Sequence, residues 1–286
     1  FDRAWGWTPG AICLHSDRII LSWEAVMLPS LLRALSSLAM ILVAGVTPAA
    51  AIGDCLALAS APPLVHRVAL RSANGKLKSS EVGITFVGHS TFLIETAGGV
   101  KAATDYNDYY RPQGPLDIVT MNRAHSSHYT DFPSRDIIHI LRGWNPEGGP
   151  AKHDVTQGDM RVRNVPTNTR WSDTGTGYGA YGNSIFVFEA GGLCIGHLGH
   201  LHHTLTPQQI AQIGQLDVVL VPIDGGYTMD VGGMADVLRS LKARLILPMH
   251  YFNQFTLNRF IDFMERCVSG NVRTRTSSVS RMIATP

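Results

Sequence analysis

The sequence predicts an α/β domain in which two sheets pack together with helices outside. Three observations predict it. β-rich runs punctuated by glycine turns fill the stretch from Val82 to Gly196. From Thr206 the rhythm changes to alternating helix and strand. Asp217-Val218-Val219-Leu220-Val221-Pro222 is apolar throughout, as a strand covered on both faces must be.

The elements follow in order. Ile84–Val87 and Thr91–Glu95 read as strands, and Gly98-Gly99 turns the second into Val100–Asp105. Asp117–Met121 and Asp136–Leu141 are two more. Met160–Val165 follows the turn Gln157-Gly158-Asp159, and Asn183–Glu189 pairs with Leu193–Gly196 across Gly191-Gly192. Thr206-Pro207 opens a helix with an N-cap and a proline at its first position. Helices over about Met234–Lys242 and Leu257–Cys267 flank a strand at Leu245–Pro248.

The chain has 286 residues, 45% hydrophobic and 16% charged, with a formal net charge of +2. This suits one large domain or two small ones, and without an internal linker or short repeat one domain is the simpler reading. Weak net charge and the absence of a dense basic run give no case for a nucleic-acid partner. Residues 1–26 read as upstream read-through, with Met27 the expected start. An apolar stretch from about Ala34 to Val46 ends in Thr47-Pro48-Ala49-Ala50-Ala51, so 27–51 reads as a signal peptide, with an uncleaved N-terminal anchor as the alternative. Residues 52–81 form a lead-in arm and 82–286 the domain. The mature protein is therefore expected in the periplasm or secreted. Export leaves Cys55, Cys194 and Cys267 in an oxidising compartment. A disulfide tying the arm to the body through Cys55 and three reduced thiols are the two readings.

The chemistry concentrates where strands end. After Asp117–Met121 come His125, His128 and then Asp131. Two further strand ends carry histidine, at His197-Leu198-Gly199-His200 and at Pro248-Met249-His250-Tyr251. Imidazoles on loops leaving buried strands are costly to desolvate unless something binds them, and a divalent metal is the commonest partner. Such loops converge at one edge of a sheet, where α/β proteins place their sites. His66, His139 and His153 read as structural or surface. For Tyr227 core packing is the expectation, with lining the pocket as the alternative.

The run Ile84-Thr85-Phe86-Val87-Gly88-His89-Ser90-Thr91-Phe92-Leu93-Ile94-Glu95, the His125/His128 loop, His197-Leu198-Gly199-His200 and Pro248-Met249-His250-Tyr251 together resemble the metallo-β-lactamase superfamily. The branch they resemble contains ascorbate-6-phosphate lactonase and the N-acyl-phosphatidylethanolamine phospholipase D. The resemblance spans roughly residues 82–255. It implies a four-layer αββα sandwich, a site at the rim between the sheets, and hydrolysis of an ester, lactone or phosphodiester by metal-bound hydroxide. Against the family pattern H-x-H-x-D-H this chain has Arg123-Ala124-His125-Ser126-Ser127-His128. A later ligand position falls near Thr169, and the bridging Asp is His200.

The ligand set that the resemblance leaves is His125, His128, His200 and His250. One ion is favoured over two: zinc first, with iron or manganese as alternatives. Asp105 resembles the family's Asp that orients a ligand His. Asp131 is the nearest carboxylate to orient the water, and His89 is a candidate acid or substrate contact. Arg123 places a fixed cation beside the metal and favours an anionic group on a small or lipid-like substrate. Two competing readings remain: a family member that binds metal or ligand without turnover, and a β-lactamase.

Overall fold

The computed structural model describes residues 55–56, 76–169 and 179–268. The segments read as read-through and signal peptide, and His66, lie outside the described residues. All eleven strands belong to the compact unit Pro48–Arg266.

Five strands form the first sheet: β1 (Val82–Gly88), β2 (Thr91–Thr96), β3 (Lys101–Ala103), β4 (Ile118–Met121) and β5 (His139–Arg142), side by side in that order. The second sheet holds β6 (Asp154–Gln157), β7 (Met160–Thr167), β8 (Asn183–Ala190), β9 (Leu193–His197), β10 (Val218–Pro222) and β11 (Leu245–Met249), ordered β11-β10-β9-β8-β7-β6. Hairpins make the antiparallel half. Crossovers through α1 (Pro207–Ile213) and α2 (Val231–Leu241) bring β10 and β11 in parallel to β9, and α3 (Gln254–Val268) follows.

Period-two alternation sorts the side chains into layers. Phe186, Phe188, Ile195, Val218 and Leu220 point at the first sheet and meet Phe92, Ile94 and Ile118 there. Their neighbours Ile185, Val187, Val219 and Val221 point the other way, onto Ile213 of α1, Met234 and Leu238 of α2, and Leu257 and Phe260 of α3. The outer face of the first sheet buries Ala103, Val119 and Met121 under Tyr106, Leu116 and Ile137, which are loop residues. Among the described residues, helices therefore cover one face of the sandwich and loops the other. The expected outer helix layer on the first sheet is not seen among them.

Local chemistry explains several elements. Thr206 caps α1 in a full capping box with Gln209. Arg163, on β7, pairs its Nε with Glu189 at 2.9 Å and gives its other nitrogens to the Gln212 and Ile213 carbonyls at the end of α1. The orphan carbonyls of that short helix are thereby satisfied by a buried cation. β6 is absent from the sequence reading because Asp-Val-Thr-Gln is a polar edge strand with no apolar run. Strand β5 starts later than read: Asp136–Ile138 leads into it and only His139–Arg142 pairs with β4.

Cys55 and Cys194 form a disulfide across a sequence separation of 139, bolting Cys55 to β9. Of the two readings of the cysteines, the structure shows the bridge through Cys55. Closing so long a loop restricts the unfolded chain, a stabilisation of about 2–5 kcal/mol in small exported domains. Cys55→Ser should therefore lower the denaturant midpoint, and a reductant should do the same to the unmodified protein. An unchanged midpoint in both would show that the bridge does not form.

Candidate functional site

The C-terminal ends of six strands meet at one rim between the sheets. His89 follows β1, Asp105 follows β3, and Arg123, His125 and His128 follow β4. His200 follows β9, Asp224 follows β10, and His250 follows β11. The loops are sewn together by backbone: the His250 N–H donates to the His89 carbonyl at 2.8 Å. His89, Asp105 and His250 adopt φ of 52°, 42° and 54°, three of the five non-glycine residues with positive φ among those described. Left-handed backbone at such residues costs about 1–3 kcal/mol each and persists only where the surroundings over-determine it.

Two carboxylates stand behind the imidazoles. Asp105 is fully buried; one oxygen lies 2.7 Å from His128 Nδ1 and the other accepts the Asn122 N–H at 2.9 Å. Burial alone would raise its pKa, but the charge and hydrogen bond of His128 outweigh this and hold it below the ordinary carboxylate range. With Nδ1–H facing that carboxylate, His128 presents Nε2 as its lone-pair atom. Asp224 stands against the second ring: Oδ1 lies 3.0 Å from His250 Nδ1, an ion-pair distance without the geometry of a hydrogen bond, and Oδ2 accepts the N–H groups of Gly226 and Tyr227. Burial pushes this carboxyl up as well. The contact with His250 and the bonds from Thr228 and Gly226 pull it well below the usual range.

The rings gather tightly. His128 and His250 stack with centroids 5.3 Å apart, His89 lies 4.1 Å from His250, and His200 lies 4.9 Å from His128 and 5.0 Å from His250. Ligand atoms of His89, His128 and His250 all fall within 4.8 Å of one another. Nε2 of His89 and Nε2 of His128 are buried without a hydrogen-bond partner. Unpartnered, desolvated imidazole nitrogens are expensive, and neutral imidazole is a good zinc, iron or manganese donor, so this triad fits a divalent metal. Desolvation, then His250 and His128, lower the His89 pKa from its ordinary 6.5 to about 4, which keeps the ring neutral at physiological pH.

The other expected residues fall as follows. His125 is exposed on the cavity wall with Nδ1 2.9 Å from Ser127 Oγ, and its ring lies 6.0 Å from that of His128. His200 is buried, and its nitrogens face Arg123 Nη1, at 3.0 and 3.3 Å, and His202 Nε2, at 2.8 Å. A guanidinium only donates, so His200 accepts there and stays neutral. Burial, followed by the neighbouring histidines and Arg123, pushes its pKa far down. Asp131 is exposed, touches the Tyr129 hydroxyl at 3.4 Å, and is not among the residues lining the cavity. Thr169 Oγ1 donates to the Gly179 carbonyl. Tyr227 is 68% exposed at the cavity rim, packed edge-on to Phe252, so core packing is not its role.

Asp224, Asn122 and Asn183 were not singled out from sequence. Asn122 donates to the Ser184 carbonyl at 2.8 Å and contacts His197 Nδ1 at 3.1 Å, joining the first sheet to the second. His197 is a latch rather than a ligand. Its Nδ1 accepts the Gly199 N–H and its Nε2 reaches the Ser90 carbonyl at 2.8 Å. Gly199, at φ +60°, is forced by these neighbours: a Cβ there would sit 2.5 Å from Asn122 Nδ2 and 2.6 Å from Asn183 Oδ1. The one sequence signal for Asp224 was a carboxylate two residues past a buried strand, a position matching that of Asp105 after β3.

Strand ends from two packed sheets, converging on imidazoles backed by carboxylates, define the class as a metallo-hydrolase sandwich. The chain belongs to the family described as the β-lactamase superfamily domain, which it matches over residues 83–250. It is 26% identical over 201 residues to a UPF0173 metal-dependent hydrolase of Pyrococcus furiosus, covering 59% of this chain and 84% of that one. A UPF0173 metal-dependent hydrolase of Carboxydothermus hydrogenoformans is 26% identical over 190 residues, with the same two shares. A solved structure from Parabacteroides distasonis is alike in fold, with a TM-score of 0.52 at 19% identity over 67% of this chain and 91% of that chain.

Two outcomes follow. Asp105→Asn keeps the shape but no longer fixes the His128 tautomer, and should weaken metal affinity about 10- to 100-fold in a competitive chelator titration; unchanged affinity would detach Asp105 from the metal. His89, with its pKa depressed from 6.5 to about 4, stabilises the fold fully above pH 6.5. That contribution is lost as pH falls toward 4, because the unfolded chain takes the proton first. His89→Gln should flatten this fall in melting temperature between those pH values.

Proposed function

We propose that this protein is an exported metal-dependent hydrolase of an ester, lactone or phosphodiester, working with one metal ion held by His89, His128 and His250. The convergence of those three imidazoles, with Asp105 and Asp224 behind two of them, carries the reading. Zinc is the favoured ion on the chemistry of three neutral nitrogen donors, with iron or manganese as alternatives. Export is supported by the apolar segment 34–46 and by the Cys55–Cys194 bridge, which suits an oxidising compartment. Among the described residues no helix is long and apolar enough to cross a membrane.

A divalent ion at this triad supplies Lewis-acid polarisation of the scissile group and lowers the pKa of water toward neutrality. The chain's own residues do the rest. Asp105 and Asp224 fix the ring planes of His128 and His250 and balance part of the positive charge. His200, its acceptor nitrogen taken by Arg123, packs its ring edge-on against His128 and His250. The cavity is about 510 Å³, and His89, Arg123, His125, His200, His250 and Phe252 are among the residues that line it. Net turnover adds one water across the ester bond and releases an acid and an alcohol.

A second reading, binding without turnover, is favoured by Arg123 and Ser127, which stand where the family pattern has a His and an Asp. One experiment separates the two. Hydrolysis of 4-nitrophenyl esters or bis(4-nitrophenyl) phosphate should require metal, stop with a chelator, return on adding the metal back, and fall at least 100-fold in His128→Ala. Metal bound in full with no turnover on either substrate class would select the second reading.

A further inference from the structure

Beside the imidazoles the rim carries an aromatic wall. Phe252 comes two residues after His250, and its ring centroid lies 5.7 Å from that of His250 and 5.7 Å from that of His89. Tyr227 packs edge-on against Phe252, again at 5.7 Å, and both line the cavity. Tyr110 lies along the same His89 ring at 6.3 Å. The aromatic surface therefore begins at the candidate ligands and continues from Phe252 to Tyr227.

The fold holds both residues in place. Tyr227 sits on the turn after β10, where its own N–H and that of Gly226 donate to Asp224, the carboxylate that faces His250. Phe252 lies on the short link from β11 to α3, and α3 is anchored by the buried Leu257 and Phe260. The wall is thus set by the same strand ends as the metal site. Yet Phe252 is 61% exposed and Tyr227 68%. Scattered exposed apolar residues are ordinary, but paired aromatics bordering a cavity mark a place where a ligand is held. Adding water across an ester needs neither ring. A cavity of about 510 Å³ is of the size that takes a drug-sized ligand, far more than one ester group fills.

We propose that Phe252 and Tyr227 receive the apolar chain of the substrate while its ester or lactone group lies at the imidazoles. The substrate class is then an acyl ester or lactone with an extended hydrocarbon chain, entering the cavity as a single molecule. Both residues are specificity-determining, and this role rests on the hydrolase reading above. A chain laid across two aromatic side chains gains affinity with each methylene removed from water, up to about fourfold per group.

The test compares 4-nitrophenyl acetate, butyrate and hexanoate, each below its micelle-forming concentration. For the metal-loaded wild type, kcat/KM should rise at least about tenfold from acetate to hexanoate, mainly through KM. Phe252→Ala and Tyr227→Ala should each cut the hexanoate-to-acetate ratio at least about threefold, and Phe252→Leu, which keeps apolar surface, should retain most of it. Phe132→Ala, at an exposed aromatic that does not line the cavity, should keep the wild-type ratio. Hexanoate and acetate titrated calorimetrically into the same metal-loaded proteins give the ratio without turnover. Metal content and melting curves establish that the variants are loaded and folded. A wild-type ratio near one, or a ratio unchanged in both alanine variants, overturns the proposal. So does a preference that appears only when the esters are raised above the micelle-forming concentration, which marks adsorption to a lipid surface. If wild type hydrolyses none of the esters, the hydrolase reading fails by itself. Hexanoate binding tighter than acetate, with that margin lost in Phe252→Ala, would then still support the apolar wall, and equal binding of the two would overturn it.

Discussion

The Asp105 carboxylate is the point on which the rest of the rim depends. It is buried without access to water, in a left-handed turn, between the backbone N–H of Asn122 and Nδ1 of His128. A charge in that position is tolerable only because both oxygens are answered. The answer has consequences in two directions. Through His128 it leaves a buried Nε2 lone pair on a ring packed against His89, His200 and His250. Through Asn122 it locks the end of β4 to β8 and to His197, and so sets the distance between the two sheets at the edge where the histidines gather.

Around that anchor the sandwich supplies rigidity. Phe186, Phe188 and Leu220 fill the space between the sheets, and the neighbouring side chains of the same strands are clamped by helices. The strand ends therefore arrive at fixed heights, and short loops carry the functional groups directly from them. The strain at His89, Asp105 and His250 is concentrated where the chain must turn sharply from a buried strand to face a common point. Aspartate and histidine tolerate left-handed backbone better than most residues, but its concentration at three positions of one rim still calls for a cause. It is accounted for if the direction of each side chain matters more than the local cost.

Much of this is legible from the residues. The two-sheet architecture follows from hairpin punctuation followed by β-α-β-α rhythm, and the histidines at strand ends point to one rim. What sequence spacing does not resolve is which nitrogen faces which partner. His125, His128 and His200 look equivalent as letters, yet His128 is backed by Asp105 while His200 turns to Arg123 and His202. His89 reads from sequence as an acid or substrate contact and is joined to the other rings by a hydrogen bond from His250, 161 positions downstream, a contact that no local pattern encodes. Asp224 is invisible for the same reason: its significance is a 3.0 Å distance to a residue on another strand end. Polar edge strand β6 is missed because an exposed strand has no burial pattern to read.

The central claim is that one metal ion sits among His89, His128 and His250. Anomalous diffraction from crystals of the metal-replete protein tests it most directly. A single strong peak within coordination distance of those three histidines, and none beside Arg123, is the predicted result. Two peaks, or one peak shared by His125 and His200 away from His89, would contradict it.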